Sequence, residues 1–303
     1  MRCPSEQTMK VVTYNIQWGM GKDGVIDLPR IAQTVHDADI ICLQEVEVNW
    51  RDGDGADQVS VLASLFPDHY LAFAPAVDIH NPSGSGKIAR RQYGVLTLSR
   101  WPILSARAYP LPKYPVVGHL VDQTVAQELI IKPKGSGLRI YNTHLNYLSQ
   151  AQRIHQVEVL LKLIEDAPKQ GGPVSGLGVD AREYQEDWMA VGAEDLADMP
   201  LPAILLGDFN MRPNAPEYDL IVGQKDPYYG RLHKAHLFSD ALTLSGLPEE
   251  DGKTHIDENN PNFNRIDHIF VSGDLVPKVK KAWIDEDAIA SDHQPIFAEI
   301  NWP

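Results

Sequence analysis

Six short polar clusters sit at the tips of apolar runs, spread over almost the whole chain: Thr13-Tyr14-Asn15, Leu43-Gln44-Glu45, Asn142-Thr143-His144, Leu206-Gly207-Asp208-Phe209-Asn210, Arg265-Ile266-Asp267-His268 and Ser291-Asp292-His293. An ionised carboxylate at the end of a buried strand is costly unless something pairs with it. One site assembled from all of these strand ends requires the entire chain to fold as a unit. The economical reason to gather carboxylates, amides and histidines is a hard divalent cation beside a phosphate ester. Magnesium takes one or two carboxylates and completes its octahedron with waters and substrate oxygens.

The runs between the clusters read as alternating strands and helices. Lys10 to Ile16 alternates polar and apolar residues, as a half-buried strand does, while Ile40 to Leu43 is continuously apolar, as a strand buried on both faces is. Asp27 with Pro29 marks a helix start, and Val59, Leu62, Ala63 and Phe66 form a helix that stops at Pro67. Strands are expected at Tyr70–Ala74, Tyr93–Ser99, Thr124–Ile131, Leu138–Asn142, Ala203–Leu206, Ile266–Val271 and Ile296–Ile300, with a hairpin turn at Lys134–Gly137. Ala151–Glu165 carries helical spacing, and Ile79–Gln92 reads as a loop. Interleaved strands and helices without a linker or repeat indicate an α/β fold with mixed sheets. We expect an N-terminal tail over residues 1–8, a single domain over 9–303, and a surface insertion near 166–200.

Composition narrows the partners. The 27 Lys plus Arg against 41 Asp plus Glu give a formal net charge of −14. That lacks the basic footprint of a tight, sequence-indifferent duplex binder. A small phosphoester or a short nucleic acid is the better match, and no protein partner is predicted. Two cysteines allow no disulfide framework and no cysteine-rich zinc site. No run approaches the roughly 20 apolar residues of a membrane span, and Met1–Lys10 holds no apolar stretch. A cytoplasmic setting is the expectation.

Each cluster offers a chemical group. Glu45 suits a metal ligand and Asn15 a neutral neighbour to it. Asp208 and Asn210 fall on one side of an extended chain, so a carboxylate and an amide can hold a water or a phosphoryl oxygen between them. Asp267 and His293 suggest a carboxylate orienting an imidazole, although spacing leaves His268 as the other partner. His144 could donate to a phosphoryl oxygen. Lys87, Arg90 and Arg91, before Tyr93, could bind a flanking phosphate.

With Tyr93-Gly94 as a seventh mark, the ordered series from Tyr14-Asn15-Ile16 to Ser291-Asp292-His293 resembles the signature of the endonuclease/exonuclease/phosphatase (DNase I-like) superfamily. That group holds nucleases, apurinic endonucleases, neutral sphingomyelinases, inositol polyphosphate 5-phosphatases and deadenylases. The resemblance implies a four-layer α/β/β/α sandwich, two packed mixed β-sheets flanked by helices. It implies metal ligation by Glu45, with Asn15 and Asp292 nearby. Catalytic duties fall to His144, Asp208, Asn210, Asp267 and His293, and substrate binding to Tyr93 with Arg90 and Arg91. The activity implied is Mg2+-dependent hydrolysis of a phosphoester, foremost a phosphodiester, by in-line water attack; Mn2+ or Ca2+ are possible substitutes. An endo- or exonuclease, a sphingomyelinase-like lipid phosphodiesterase and an inactive binding module of the same fold are the alternatives. Gln17 and His144 replace the Asp and Tyr of many apurinic endonucleases, which argues against that branch.

Overall fold

The computed structural model describes residues 7–51, 57–82, 90–175, 199–232, 237–255 and 265–302. In chain order the elements are β1 (Gln7–Asn15), α1 (Leu28–Val35), β2 (Ile40–Val48), α2 (Gln58–Leu65), β3 (Tyr70–His80), β4 (Arg90–Ser99), β5 (Ile103–Pro110), β6 (Val125–Ile131), β7 (Leu138–His144) and α3 (Gln150–Gln170). They continue with β8 (Ala203–Asp208), α4 (Pro216–Val222), the short ribbon β9 (Lys225–Asp226) and β10 (Gly230–Arg231), β11 (Phe238–Asp240), α5 (Ala241–Leu244), β12 (Asp267–Ser272), β13 (Val279–Ile284) and β14 (Ile296–Trp302).

Two six-stranded sheets form, in the orders β13-β14-β1-β2-β4-β3 and β11-β12-β8-β7-β6-β5. Each has one parallel pair near its centre, β1 with β2 and β7 with β8, among antiparallel neighbours. The period-two alternation of strand side chains decides which residues each face buries. Met9 and Val11 of β1 point inward with Ile40 and Cys42 of β2, and meet Leu138 and Ile140 of β7, Ile204 and Leu206 of β8, and Ile269 and Val271 of β12. The alternate residues Val12, Tyr14, Ile41 and Leu43 pack outward on α1 and α2. Tyr141, Leu205 and Phe270 pack outward on α3 and α4. The result is the expected four-layer sandwich.

The helices start where side chains cap them. Asp27 accepts from Arg30 N (3.0 Å) and Asp57 from Ser60 N (3.0 Å), each satisfying an orphan amide of a first turn. Leu28, Ile31, Ala32 and Val35 give α1 its buried stripe.

Several expectations need correction. Ile79, His80, Arg90, Arg91 and Gln92 are strand, not loop, because β3 and β4 continue as a hairpin pairing Ile79 with Arg91 and His80 with Arg90. Strands β5 and β13 carry no clean alternation and were not foreseen; both are edge strands. Helix α3 runs to Gln170, past the expected start of the insertion, and Gln7 and Thr8 belong to β1, where they pair with Trp302 and Asn301. Most of the expected insertion, residues 176–198, lies outside the described residues, as does Cys3. Cys42 is buried among apolar side chains, and burial pushes its thiol up to about 12. No described helix is long and apolar enough to cross a membrane.

Candidate active site

The alternation that builds the core also aims the polar clusters. On β1 the inward set 9, 11 and 13 continues to Asn15; on β7 the set 138 and 140 continues to Asn142 and His144. On β8 the set 204 and 206 continues to Asp208, and on β12 the set 271 and 269 continues back to Asp267. Apolar inward residues therefore give way, layer by layer, to polar ones at the same end of both sheets.

The first polar layer is structural. Gln44 Nε2 donates to Asn142 Oδ1 (2.8 Å) and Thr13 Oγ1 (3.1 Å), while Asn142 Nδ2 lies 3.1 Å from Thr97 Oγ1 and 3.2 Å from Leu96 O. Thr97 donates to Gln127 Oε1 (2.6 Å). All five side chains are essentially inaccessible to water. A buried network satisfied in this way fixes the register between the two sheets. Asn142, at a cluster expected on a strand end, is thus the hub beneath the site.

Glu45 departs from the simple pattern. By alternation from Gln44 it would face α1 and α2. An extra residue is inserted in β2, however: Leu43 pairs with Leu96 and Val46 with Gly94, a bulge at which Glu45 adopts φ +60°. Leu43 and Val46 both remain outward, and the carboxylate of Glu45 swings to the inner side. There its Oε1 accepts from Asn15 Nδ2 (3.0 Å). Glu45 is therefore a bulge residue within β2, not the strand end expected. Burial pushes its carboxyl up, opposed by His144, Asn15 and His293.

Asn15 Nδ2 also donates to Asp208 Oδ2 (2.9 Å), and Asn15 Oδ1 accepts from Gln17 N (3.0 Å). Its amide nitrogen, not its oxygen, faces the carboxylates. Asn15 is thus a neighbour that donates to both Glu45 and Asp208. Asp208 Oδ1 accepts from Asn210 N (2.9 Å), and Asn210 Nδ2 donates to Leu145 O (3.0 Å). His144 Nε2 and His293 Nε2 lie 3.5 and 3.8 Å from the same oxygen, Asp208 Oδ2.

Asp267 pairs with His293 and not with its neighbour His268: Nδ1 of His293 is 2.8 Å from Asp267 Oδ2. His268 points to the opposite face, between Met211 O (3.0 Å) and Asp240. Burial alone would lower the His293 pKa, but the charge and hydrogen bond of Asp267, with Asp208 and Asp292, push it up to about 10. Asp292 accepts from Ser291 Oγ (3.2 Å), and Ser291 Oγ also lies 2.8 Å from Asn15 O. Burial pushes the Asp292 carboxyl up, yet His255 and His293 hold it below the usual carboxylate range.

Sequence reading did not single out His255 and Thr254, among others. His255 Nε2 is 3.7 Å from Asp292 Oδ2, and its ring stands 4.6 Å from that of His293. Thr254 Oγ1 accepts from Ile266 N (3.0 Å) and Asp267 N (3.1 Å). Both lie in an irregular segment tied to the site by the isolated bridge between His255 and His293 and by these Thr254 bonds, for which no periodicity exists. Arg90 and Arg91 do not line the cleft. Arg90 Nε instead binds Asp78 Oδ1 (2.7 Å) across the β3–β4 hairpin, which carries both arginines away from the carboxylates. Tyr93 does line it, and Lys87 lies outside the described residues.

The cleft itself measures about 470 Å³. Glu45, Asp122, Asp208 and Asp292 line it with His144, His255 and His293, and no lysine or arginine is among its described lining residues. Among the described residues, two side-chain groups bring their ligand atoms close enough to hold a metal ion, His255 with Asp292 and His293, and Asp208 with Asp267 and His293.

The model of the Endonuclease/Exonuclease/phosphatase family matches residues 12–293. No curated protein matches the sequence. Among solved structures, an endonuclease/exonuclease/phosphatase from Bacteroides vulgatus is similar at TM-score 0.63 and 19% identity, covering 98% of this chain and 100% of that one. The mannosyl-6-phosphatase of Bacteroides thetaiotaomicron is similar at TM-score 0.60 and 20% identity, covering 97% and 100%. Truncated TDP2 of Caenorhabditis elegans follows at TM-score 0.58 and 16% identity, covering 97% and 98%.

Proposed function

This chain belongs to the Endonuclease/Exonuclease/phosphatase family, whose members are hydrolases acting on phosphoesters, and from that premise we propose that it is a Mg2+-dependent phosphodiesterase using direct attack by water. The observation that carries the reading is the cleft's charge. Glu45, Asp122, Asp208 and Asp292 line the cleft against three histidines, with no lysine or arginine among the described lining residues. The donor set fits a divalent cation. Glu45 and Asp292 would hold it, and Asn15 fixes the rotamer of Glu45. Their oxygens favour Mg2+, with Mn2+ or Ca2+ as substitutes. When bound, the ion neutralises charge on a phosphoryl oxygen and on the departing oxygen.

The protein's own groups supply the rest. Asp208 is held on both oxygens, by Asn15 and by the Asn210 amide. It orients the attacking water and takes its proton. Asp267 holds Nδ1 of His293 and leaves Nε2 facing the cleft, and the acidic neighbours that raise the pKa of the ring favour its acting as a donor. His144 Nε2 approaches the same place, so the two rings give a phosphoryl group paired donors. Asn210 adds an amide N–H. His255 rests on Asp292 and steadies it.

The test is hydrolysis of bis-p-nitrophenyl phosphate with added Mg2+ and with EDTA. Turnover that requires the ion and disappears in Asp208→Asn supports the assignment. No turnover with Mg2+, Mn2+ or Ca2+ would leave the binding-module reading in its place.

A further inference from the structure

Beside the catalytic cleft lies a second compartment of about 570 Å³, and Trp18, Tyr93 and Asp122 form a wall common to both. The wall is built with some strain. Gln17 and Trp18 both sit in the left-handed region, at φ +45° and +47°, where a bulky side chain is seldom found. Local bonds hold Trp18 there. Gln58 Nε2 donates to Trp18 O (2.7 Å) while Gln58 Oε1 accepts from Glu47 N (3.1 Å). The Arg51 guanidinium lies 4.1 Å from the Trp18 ring centroid and is itself paired with Glu47. Asn15, which bridges the catalytic carboxylates, also anchors the start of this turn through Gln17 N. Trp50 extends the aromatic surface, its ring 6.1 Å from that of Tyr93.

The charges limit what the compartment can take. Arg51 is matched by Glu47 and Asp78 by Arg90, which leaves one further cation, Lys113, and one further carboxylate, Asp122, in the lining, with no ion pair between them. Among the described residues this gives no net positive field, which a following run of phosphates would need. Carboxylates in the lining equally disfavour an acyl chain. What the surface does offer is flat aromatic area together with Asp122, whose carboxylate makes no hydrogen bond or ion pair among the described residues. Such a combination suits an uncharged ring that has an apolar face and hydroxyl groups.

Resting on the phosphodiesterase reading, we propose that this compartment is a subsite for the alcohol moiety esterified to the scissile phosphate, a hydroxylated ring group stacked on Trp18 and Trp50 and hydrogen-bonded to Asp122. A nucleoside and a glycoside share that chemistry. The subsite makes the enzyme selective for the group next to the phosphate, separately from the charge chemistry of the cleft.

Binding of neutral probes tests this without turnover. The full chain with Mg2+ is titrated with adenosine, with methyl α-glucopyranoside and with glycerol, following tryptophan fluorescence and ligand-detected NMR saturation transfer. We expect saturable binding of adenosine or of the glycoside, the responding probe identifying the source, and none of glycerol. Trp50→Ala should weaken that binding by about tenfold, the scale of one stacking contact, and Asp122→Asn should weaken it as well. Near-UV circular dichroism and the thermal midpoint certify that the variants are folded. Binding of neither ring, binding of glycerol equal to a ring, or a folded Trp50→Ala with unchanged affinity would each overturn the proposal. Failure of bis-p-nitrophenyl phosphate hydrolysis, by contrast, bears on the catalytic reading alone.

Discussion

Asn15 Nδ2 lies 2.9 Å from Asp208 Oδ2, a hydrogen bond that joins strand ends of the two sheets across 193 residues of chain. Because the same amide binds Glu45, one neutral side chain ties the proposed metal-side carboxylate to the proposed water-side carboxylate. It holds two negative groups near each other before any cation arrives.

Removing that amide should therefore cost stability, and a cation should return part of it. Asn15→Leu leaves two largely buried carboxylates without their shared donor, a loss of about 1–3 kcal/mol. The urea midpoint measured in EDTA should fall accordingly. In Asn15→Asp a third carboxylate adds repulsion, so the midpoint should fall further in EDTA and rise more steeply with Mg2+ than in the wild type. Equal Mg2+ responses in the two proteins would argue against a cation site here.

The His293–Asp267 pair gives a pH signature. The folded pKa of His293 is raised to about 10, against roughly 6.5 in an unfolded chain. A raised histidine stabilises fully below the unfolded value and loses that contribution as pH climbs through the folded one. Asp267→Asn removes the main support, so the variant should be more destabilised at pH 6 than at pH 10, and the His293 ring resonance should titrate at a lower pH. Catalysis should drop about 10²–10³-fold at neutral pH, the usual cost of losing a charge-stabilising donor. A His293 resonance that titrates identically in both proteins would show that the pair is not coupled.

Much of this arrangement was legible because alternation is a local rule with a global result. Asn15, His144, Asp208 and Asp267 all extend inward-facing apolar series, so their convergence follows once the sheets stack. Glu45 was legible as a candidate but not in its geometry, since a bulge leaves no mark in composition. Trp18, Arg51 and His255 were missed because left-handed turns and single bridges bring them in. Arg90 and Arg91 misled for the opposite reason: a polar, glycine-rich stretch concealed a hairpin whose own acid, Asp78, engages Arg90.

Two glycines should prove intolerant for steric reasons. A Cβ on Gly207, at φ +147°, would stand 1.9 Å from Thr143 O of the adjacent parallel strand. A Cβ on Gly94 would stand 2.1 Å from Ala74 O. Both obstacles are backbone of a paired strand and cannot rotate away. Gly207→Ala and Gly94→Ala should each destabilise by roughly 1–3 kcal/mol or more, whereas Gly135→Ala, with open space but φ +93°, should cost less. Thermal midpoints of the three variants would rank them.

Arg265, part of the cluster that carries Asp267, acts on the side away from the cleft. Its guanidinium is fully buried, paired with Asp240 and bonded to Glu249 O (3.0 Å). Burial pushes the Asp240 carboxyl up, but Arg265 and His268 outweigh it and hold the group well below the ordinary carboxylate range. A depressed carboxylate stabilises above its unfolded pKa, near 4, and that contribution is lost as pH falls toward the folded value. Asp240→Asn strands a buried guanidinium, so it should cost about 3–5 kcal/mol at pH 7. The penalty should shrink below pH 4, where the wild type begins to lose the same interaction. Among the described residues the hydrogen-bond partners of Asp240 do not line the cleft, so kcat per folded molecule on bis-p-nitrophenyl phosphate should stay near the wild-type value. Denaturant melts at pH 7 and pH 3, with activity measured where the variant is fully folded, separate the two effects. A pH-independent difference between the proteins would show that Asp240 contributes by packing and not by charge.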